Sequence, residues 1–139
     1  MRIMGIDYGD SRVGIAMSDP LGYTAQGLKT LPNKVYSKLI ESVVSIAHQY
    51  GVTLVVVGLP KNMDGSEGFR ADITKSFVAD LQSKLPDVNF IYQDERLTTV
   101  QASTFLNATN TRGKSRKNVI DTVSAEIILQ SYLDSNKNL

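Results

Sequence analysis

The chain contains 139 residues, of which 42% are hydrophobic and 21% are charged, as is typical of one globular domain with one core. The formal net charge is +1, so a polyanionic partner has to be bound by a local basic patch. The absence of cysteine excludes disulfide bonds, thiolate zinc sites and cysteine nucleophiles. We expect a single domain over residues 1–139.

The N-terminal third of the sequence predicts three antiparallel strands. The first is Arg2–Tyr8, and the turn Gly9–Arg12 connects it to a second strand at Val13–Met17. Another turn signal, Asp19–Gly22, precedes a third strand at Ala25–Leu31. Because Gly5, Asp7 and Asp10 interrupt any apolar leader, we expect no signal peptide.

The hydrophobic period then changes from two to three or four, which predicts an amphipathic helix. Asn33 is expected to cap its start and Gly51 to end it. His48, the single histidine, falls outside the apolar stripe and is expected on the surface, so no Ser–His site is available. The apolar stripe consists of Val35, Leu39, Val43, Ile46 and Tyr50.

The run Val52–Pro60 has no polar alternation, which is typical of a parallel strand buried on both faces. Its apolar part is too short to cross a membrane, so we expect no membrane association. The absence of cysteine fits a reducing cytosol, and we expect a cytoplasmic protein. A glycine-rich loop at Lys61–Gly68, a helix at Phe69–Leu85 and a strand at Val88–Gln93 are predicted to follow.

The C-terminal part of the chain is predicted to be helical. The last strand stops at Asp94–Arg96, and Thr98–Gln101 has the pattern of a capping box that opens a short helix. Asn107–Ser115 is expected to be a loop, and Arg116–Leu133 a final helix. The order predicts an α/β fold, a mixed five-stranded sheet of three antiparallel and then parallel strands flanked by helices, as in ribonuclease H-like proteins.

Three acidic residues stand at positions that this topology could bring together. Asp7 lies on the central first strand, Glu95 follows the last strand, and Asp121 lies in the second turn of the final helix. Small residues at Ser124 and Ala125 would let that helix approach the sheet. Carboxylates of this kind could hold Mg²⁺ or Mn²⁺ for phosphodiester cleavage.

Each acidic residue also has a purely structural interpretation. Asp7 could stabilise the turn after its strand, and Glu95 could pair with the neighbouring Arg96 at the surface. Asp121 could favour the positive end of its helix. The catalytic interpretation therefore depends on all three carboxylates converging.

A basic stretch precedes Asp121. Five basic and no acidic residues lie between positions 96 and 120, a pattern that suits a nucleic-acid backbone, although an ordinary solvated loop would also have it. These candidate nucleic-acid contacts are Arg96, Arg112, Lys114, Arg116 and Lys117.

The loop Gly58–Arg70 lies between a buried strand and a helix, where anions are often bound. It is not a P-loop, because no Gly-Lys-Ser/Thr follows. Alternatively, it is simply a turn that needs Gly65 and Gly68.

These motifs, taken together, resemble those of the YqgF (RuvX) family of Holliday-junction-resolvase-like nucleases over nearly the whole length of the chain. The matching segments are GIDYGDSRVGIAMSD, VVVGLPKNMDGSEGFRA, YQDERLTT and KNVIDTVSAEIILQSYL. The resemblance implies a ribonuclease H-like fold and acidic site positions at Asp7, Glu95 and Asp121. It also implies divalent-metal-dependent maturation of the 16S ribosomal RNA precursor, or action on branched DNA.

The resemblance further implies that the loop from Asn62 to Arg70 and the basic segment before Asp121 contact the substrate, and we add Arg12 to these candidates. Two other functions remain open at this stage. A sugar-kinase-like phosphotransferase shares the opening hairpin but needs two domains. A non-catalytic nucleic-acid-binding factor would bind RNA without cutting it. The chain could act as a monomer or a homodimer.

Overall fold

The computed structural model describes residues 2–62, 64–94 and 113–136, with the side chains of the last segment described from 122 to 135. The described elements, in chain order, are β1 (Arg2–Tyr8), β2 (Arg12–Ser18), β3 (Ala25–Pro32), α1 (Tyr36–Tyr50), β4 (Val52–Leu59), α2 (Phe69–Lys84), β5 (Asn89–Asp94) and α3 (Gly113–Asn136). None of these helices is long and apolar enough to span a membrane.

The five strands form one mixed sheet in the order β3-β2-β1-β4-β5. β2 is antiparallel to both β1 and β3, whereas β1, β4 and β5 are parallel neighbours. The connections from β3 to β4 and from β4 to β5 are helical crossovers through α1 and α2. The predicted fold is therefore confirmed, including three antiparallel strands followed by parallel ones. β1 occupies the centre of the sheet, as predicted.

The sheet separates two hydrophobic clusters, because alternate residues of each strand point to opposite faces. One face packs against α1 and α2, and the other packs against α3. β4 contributes to both, with Val55 and Val57 on the first face and Val56 on the second. This two-sided burial explains why β4 has an unbroken apolar sequence.

Asn33 does not cap α1, contrary to the prediction. The residue before the helix is Val35, which makes no side-chain cap hydrogen bond. The Asn33 side-chain amide instead donates to the Gly9 carbonyl at 2.9 Å, and its backbone N–H donates to the Ser11 carbonyl at 2.9 Å. Asn33 is thus used to fix the start of α1 to the β1–β2 turn.

The predicted loop at Asn107–Ser115 is wrong in its last part, because α3 already includes residues 113–115. Residues 113–115 contain no proline, and serine and lysine are tolerated in a first helical turn. The helix therefore begins at Gly113 and not at the predicted Arg116. Residues 107–112 and the predicted short helix at Thr98–Gln101 lie outside the described residues.

α3 packs unusually close to the sheet at two glycines. A Cβ atom on Gly5 of β1 would lie 2.8 Å from Cβ of Leu129 and 2.9 Å from the carbonyl oxygen of Ala125. A Cβ atom on Gly27 of β3 would lie 2.1 Å from Cγ2 of Thr122. Ala125 is fully buried, as expected from the small residue at this helix position.

Side chains of α3 also cover the edge strand β3. The backbone N–H of Ala25 donates to Oε1 of Gln130 at 2.9 Å, and the backbone N–H of Gly27 donates to the carboxylate of Glu126. Since unpaired N–H groups at a sheet edge promote pairing with other chains, these contacts protect part of the β3 edge.

Burial raises the pKa of Glu126, and the hydrogen bond from Gly27 opposes that effect only in part. Because the pKa of Glu126 is raised in the folded state, its contribution to stability is fully present below the ordinary pKa of 4.5. That contribution is lost as the pH rises through the folded-state pKa. We therefore expect Glu126→Gln, which keeps the acceptor and removes the charge, to increase the free energy of unfolding at neutral pH. The gain should shrink in acid.

Urea unfolding at about pH 7 and about pH 4 tests this expectation. Glu41→Gln on the exposed side of α1 is the control and should change stability little at either pH. A Glu126→Gln variant that is less stable than the wild type at neutral pH would contradict the account.

Candidate active site

Asp7 lies near the end of β1, on the face of the sheet that packs against α3. Met4 and Ile6 point to the opposite cluster, so Gly5 and Asp7 share the α3 face by alternation. Asp7 is half-buried. Asp7 is thus the penultimate residue of β1, and part of its surface remains accessible to solvent.

The strand register places Asp7 in a row that leads directly to α3. Asp7 is the partner of Gly14 in β2, and Gly14 is the partner of Thr30 in β3. The Thr30 and Thr122 hydroxyl oxygens are 3.0 Å apart, which joins this row to the helix. The helical turn that contains position 121 thus lies at the level of Asp7.

The direction of α3 supports the same placement. Ala25 contacts Gln130, whereas Thr30, further along β3, contacts Thr122, so the helix runs opposite to β3 and β1. Ala125 lies over Gly5. Asp121 is one helical turn before Ala125 and therefore belongs to the turn nearest the end of β1. The side chain of Asp121 is outside the described residues.

Glu95 also lies outside the described residues, but its neighbour Asp94 is the last residue of β5. Asp94 is the partner of Leu59 at the end of β4. Because β1, β4 and β5 are parallel, their carboxyl ends share one edge of the sheet, the edge to which Asp7 belongs. No cluster of three metal-ligating side chains occurs within the described set, which leaves out two of the three predicted acids.

Three of the predicted nucleic-acid contacts, Arg12, Asn62 and Arg70, lie at this edge. Arg70 at the start of α2 donates to Asp10 at 2.9 Å, and the two side chains are 72% and 66% exposed. Arg12 is half-buried at the start of β2, opposite Pro32. Sequence reasoning missed the Asp10–Arg70 pair because 60 residues separate the partners.

The Asn62 loop is held together by its own polar groups. The backbone N–H and the side-chain amide of Asn62 donate to Ser66, at 2.9 Å to its carbonyl oxygen and 3.0 Å to its hydroxyl. Gly65 has a φ of 90°, which a glycine adopts without strain. The backbone of this turn thus requires glycine at position 65. Gly68 has an extended backbone, which other residues also adopt, so its conformation does not require glycine.

The basic segment is described only in part. Arg96 and Arg112 lie outside the described residues, and Lys114, Arg116 and Lys117 belong to the first turns of α3, with undescribed side chains. Their backbone positions place them on the helical turns before Asp121.

An aromatic cluster supports the edge from the other face of the sheet. The Tyr8 ring stacks on Phe77 with centroids 4.2 Å apart, and Tyr36 meets Phe77 edge-on. The Tyr36 hydroxyl donates to Asp80, and burial raises the pKa of Tyr36 well above its usual value. This cluster joins the start of α1 and the end of β1 to the middle of α2. His48 is exposed, as predicted.

A family model described as RuvX, Holliday junction resolvase, matches residues 1–135. The chain belongs to the RuvX family. A relative from Acetivibrio thermocellus is 47% identical and covers 97% of this chain and 96% of its own length. A relative from Halothermothrix orenii is also 47% identical, with 100% and 99% covered. Both are described as "Putative pre-16S rRNA nuclease".

Solved structures show the same fold. RuvC of Thermus thermophilus, determined in complex with a Holliday junction substrate, has a TM-score of 0.59 at 12% identity and covers 98% of this chain and 96% of its own. The fowlpox virus Holliday junction resolvase has a TM-score of 0.60 at 14% identity, with 97% and 99% covered. The predicted ribonuclease H-like fold and the RuvX resemblance are thus confirmed.

The RuvX family and its nuclease-named members support a hydrolase that acts on ester bonds of nucleic acid, as the sequence predicts.

Proposed function

We propose that the protein is a metal-dependent nuclease that hydrolyses phosphodiester bonds in the 16S ribosomal RNA precursor, with Asp7, Glu95 and Asp121 as its catalytic carboxylates. The observation that carries this proposal is the row from Asp7 through Gly14 and Thr30 to Thr122, the neighbour of Asp121. Family membership supports the reaction type.

The donor set fits Mg²⁺ or Mn²⁺, since both ions prefer oxygen ligands and Asp7 offers a carboxylate at a partly open sheet edge. Asp7, Glu95 and Asp121 would hold such an ion, which would supply activation of a water molecule and charge stabilisation at the leaving oxygen of a phosphodiester. The protein's own contribution is to hold the carboxylates in place, and the close packing of α3 on Gly5 and Gly27 provides that rigidity.

Binding of the RNA backbone is assigned to Arg12, Asn62 and Arg70 together with the basic segment. Arg70 is held by Asp10 in an exposed ion pair, and such pairs contribute little free energy. A phosphate group can therefore replace the Asp10 carboxylate at the guanidinium. The remaining proposed contacts are Arg96, Arg112, Lys114, Arg116 and Lys117.

A branched DNA is the second candidate substrate, because the family model is described as a Holliday junction resolvase. Symmetric cutting of both strands of a junction would favour a homodimer, whereas RNA trimming requires only a monomer. We place the protein in the cytoplasm, where precursor ribosomal RNA would be available to it.

A cleavage assay with both substrates side by side decides between them. Labelled 16S precursor RNA and a four-way DNA junction are incubated with the protein and Mn²⁺, Mg²⁺ or EDTA. We expect metal-dependent cutting of the RNA and none with EDTA. Cutting of the junction alone would establish the resolvase instead, and tight binding without cutting would identify a non-catalytic factor.

A further inference from the structure

Two lysines without an assigned role follow β3 at the same end of the sheet as Asp7, the end formed by the carboxyl ends of the parallel strands. β3 runs in the direction of β1 and ends at Pro32, opposite Arg12, and α1 begins after a short loop. We propose that Arg12, Lys34 and Lys38 form a phosphate-binding surface, the β3-side basic surface, for the RNA backbone beside the cleaved bond. This inference rests on the proposed function for the identity of the nucleic acid.

The β3-side basic surface is fixed to the strand that carries Asp7. The two hydrogen bonds of Asn33 to Gly9 and Ser11 tie the loop before α1 to the β1–β2 turn. The backbone at Lys34 therefore keeps a constant position relative to Asp7. A surface held this way can position a substrate as well as attract it.

The charge of this surface suits a phosphate backbone. Lys34 and Lys38 line one shallow groove of about 130 Å³ whose apolar part includes Leu31 and Leu39. Neither lysine takes part in the ion pairs found among the described side chains, and the first turn of α1 contains no acidic residue.

The two lysines do not improve the helix itself. Cations at a helix start oppose the macrodipole, so Lys34 and Lys38 slightly disfavour α1 rather than stabilise it. Binding of an anion would offset that cost, which is the effect expected of a phosphate-binding surface.

The strand spacing gives the distance of the two lysines from the cleaved bond. β3 is two strands away from β1, and neighbouring strands are about 4.8 Å apart, so the end of β3, after which Lys34 and Lys38 follow, lies roughly 10 Å from the strand that carries Asp7. Successive phosphates of one strand are about 3.4 Å apart along the axis of a DNA duplex and slightly closer in an RNA duplex, so this distance corresponds to roughly three base pairs.

Salt-dependent binding tests the proposal without any cleavage. Fluorescence anisotropy in EDTA compares the wild type, Lys34→Gln/Lys38→Gln and the control Lys84→Gln with a labelled RNA hairpin. Lys84 is exposed in the last turn of α2, at the opposite edge of the sheet. We expect the double variant to bind roughly tenfold more weakly and to lose about 1.8 from the salt slope, or about 0.9 per phosphate contact.

The control should bind like the wild type, and a double variant that also does so would overturn the proposal. A DNA hairpin of the same sequence is the second arm, and a loss confined to DNA would contradict an RNA substrate on this surface. Binding is measured without metal, so it does not depend on cleavage. If the wild type cuts no RNA but the double variant still binds RNA more weakly, the proposed nuclease function is overturned and the proposed phosphate-binding surface is kept.

The absence of cysteine allows the position to be mapped. Lys38→Cys carrying an iron–EDTA group should break the bound RNA strand roughly three nucleotides from the wild-type cleavage position. Lys84→Cys with the same group should leave that region intact. Breaks that are equal for the two variants would contradict the predicted path of the backbone.

Discussion

Asp7→Asn is expected to abolish metal-dependent cleavage while the fold is retained. Asparagine keeps the size of the side chain but removes the charge that a divalent ion needs at the centre of the proposed site. Metal-ion stabilisation of a phosphodiester transition state is worth several kcal/mol, so the rate should fall about a thousandfold or more. The measurement is the single-turnover cleavage rate at saturating RNA.

The control for this prediction is Asp87→Asn, which removes an exposed carboxylate between α2 and β5, far from the carboxyl ends of the strands. It should cut RNA at the wild-type rate. The thermal unfolding midpoint of Asp7→Asn should stay close to that of the wild type, because Asp7 is only half-buried. An Asp7→Asn protein with full activity would remove Asp7 from the catalytic site.

Gly5→Ala is expected to cause the second large effect, through packing rather than chemistry. The new methyl group would meet Cβ of Leu129 at 2.8 Å and the backbone oxygen of Ala125 at 2.9 Å, so α3 has to move away from β1. Overpacking of this kind typically costs about 1–3 kcal/mol. Since the same movement displaces Asp121 from Asp7, we expect cleavage to fall together with the free energy of unfolding.

Gly27→Ala is the matched comparison. Its methyl group would meet Cγ2 of Thr122, a side-chain atom that Thr122→Ser removes while keeping the hydroxyl that faces Thr30. Urea unfolding should show that Thr122→Ser restores much of the stability lost in Gly27→Ala. In Gly5→Ala the methyl group meets a backbone oxygen, which no side-chain substitution can remove, so no comparable rescue is expected. A Gly5→Ala protein as stable and active as the wild type would refute the close packing of α3.

The strands could be predicted from the sequence because their patterns are local. The sequence predicts β1 with its observed bounds, and the unbroken apolar run of β4 indicates burial on both faces. The order of strands and helices then left few topologies, since helical crossovers require parallel strands. Ser124 and Ala125 correctly indicated that α3 packs close to the sheet.

The contacts that set the edge could not be predicted, because they join distant parts of the chain. Asparagine is a common residue at helix N-caps, but the side chain of Asn33 donates a hydrogen bond to the carbonyl of Gly9 in the β1–β2 turn. The pairing of Arg70 with Asp10 and the need for glycine at position 27 depend on how α2 and α3 pack. Convergence of Glu95 and Asp121 on Asp7 stays a prediction.

Paramagnetic broadening by Mn²⁺ tests that convergence most directly. In a ¹⁵N-labelled protein, substoichiometric Mn²⁺ should broaden the amide signals of residues 7, 95 and 121 together, and Asp7→Asn should abolish the effect. The signals of residues near Asp87 should remain sharp. Broadening at residue 7 without residues 95 and 121, or undiminished broadening in Asp7→Asn, would contradict a shared metal site.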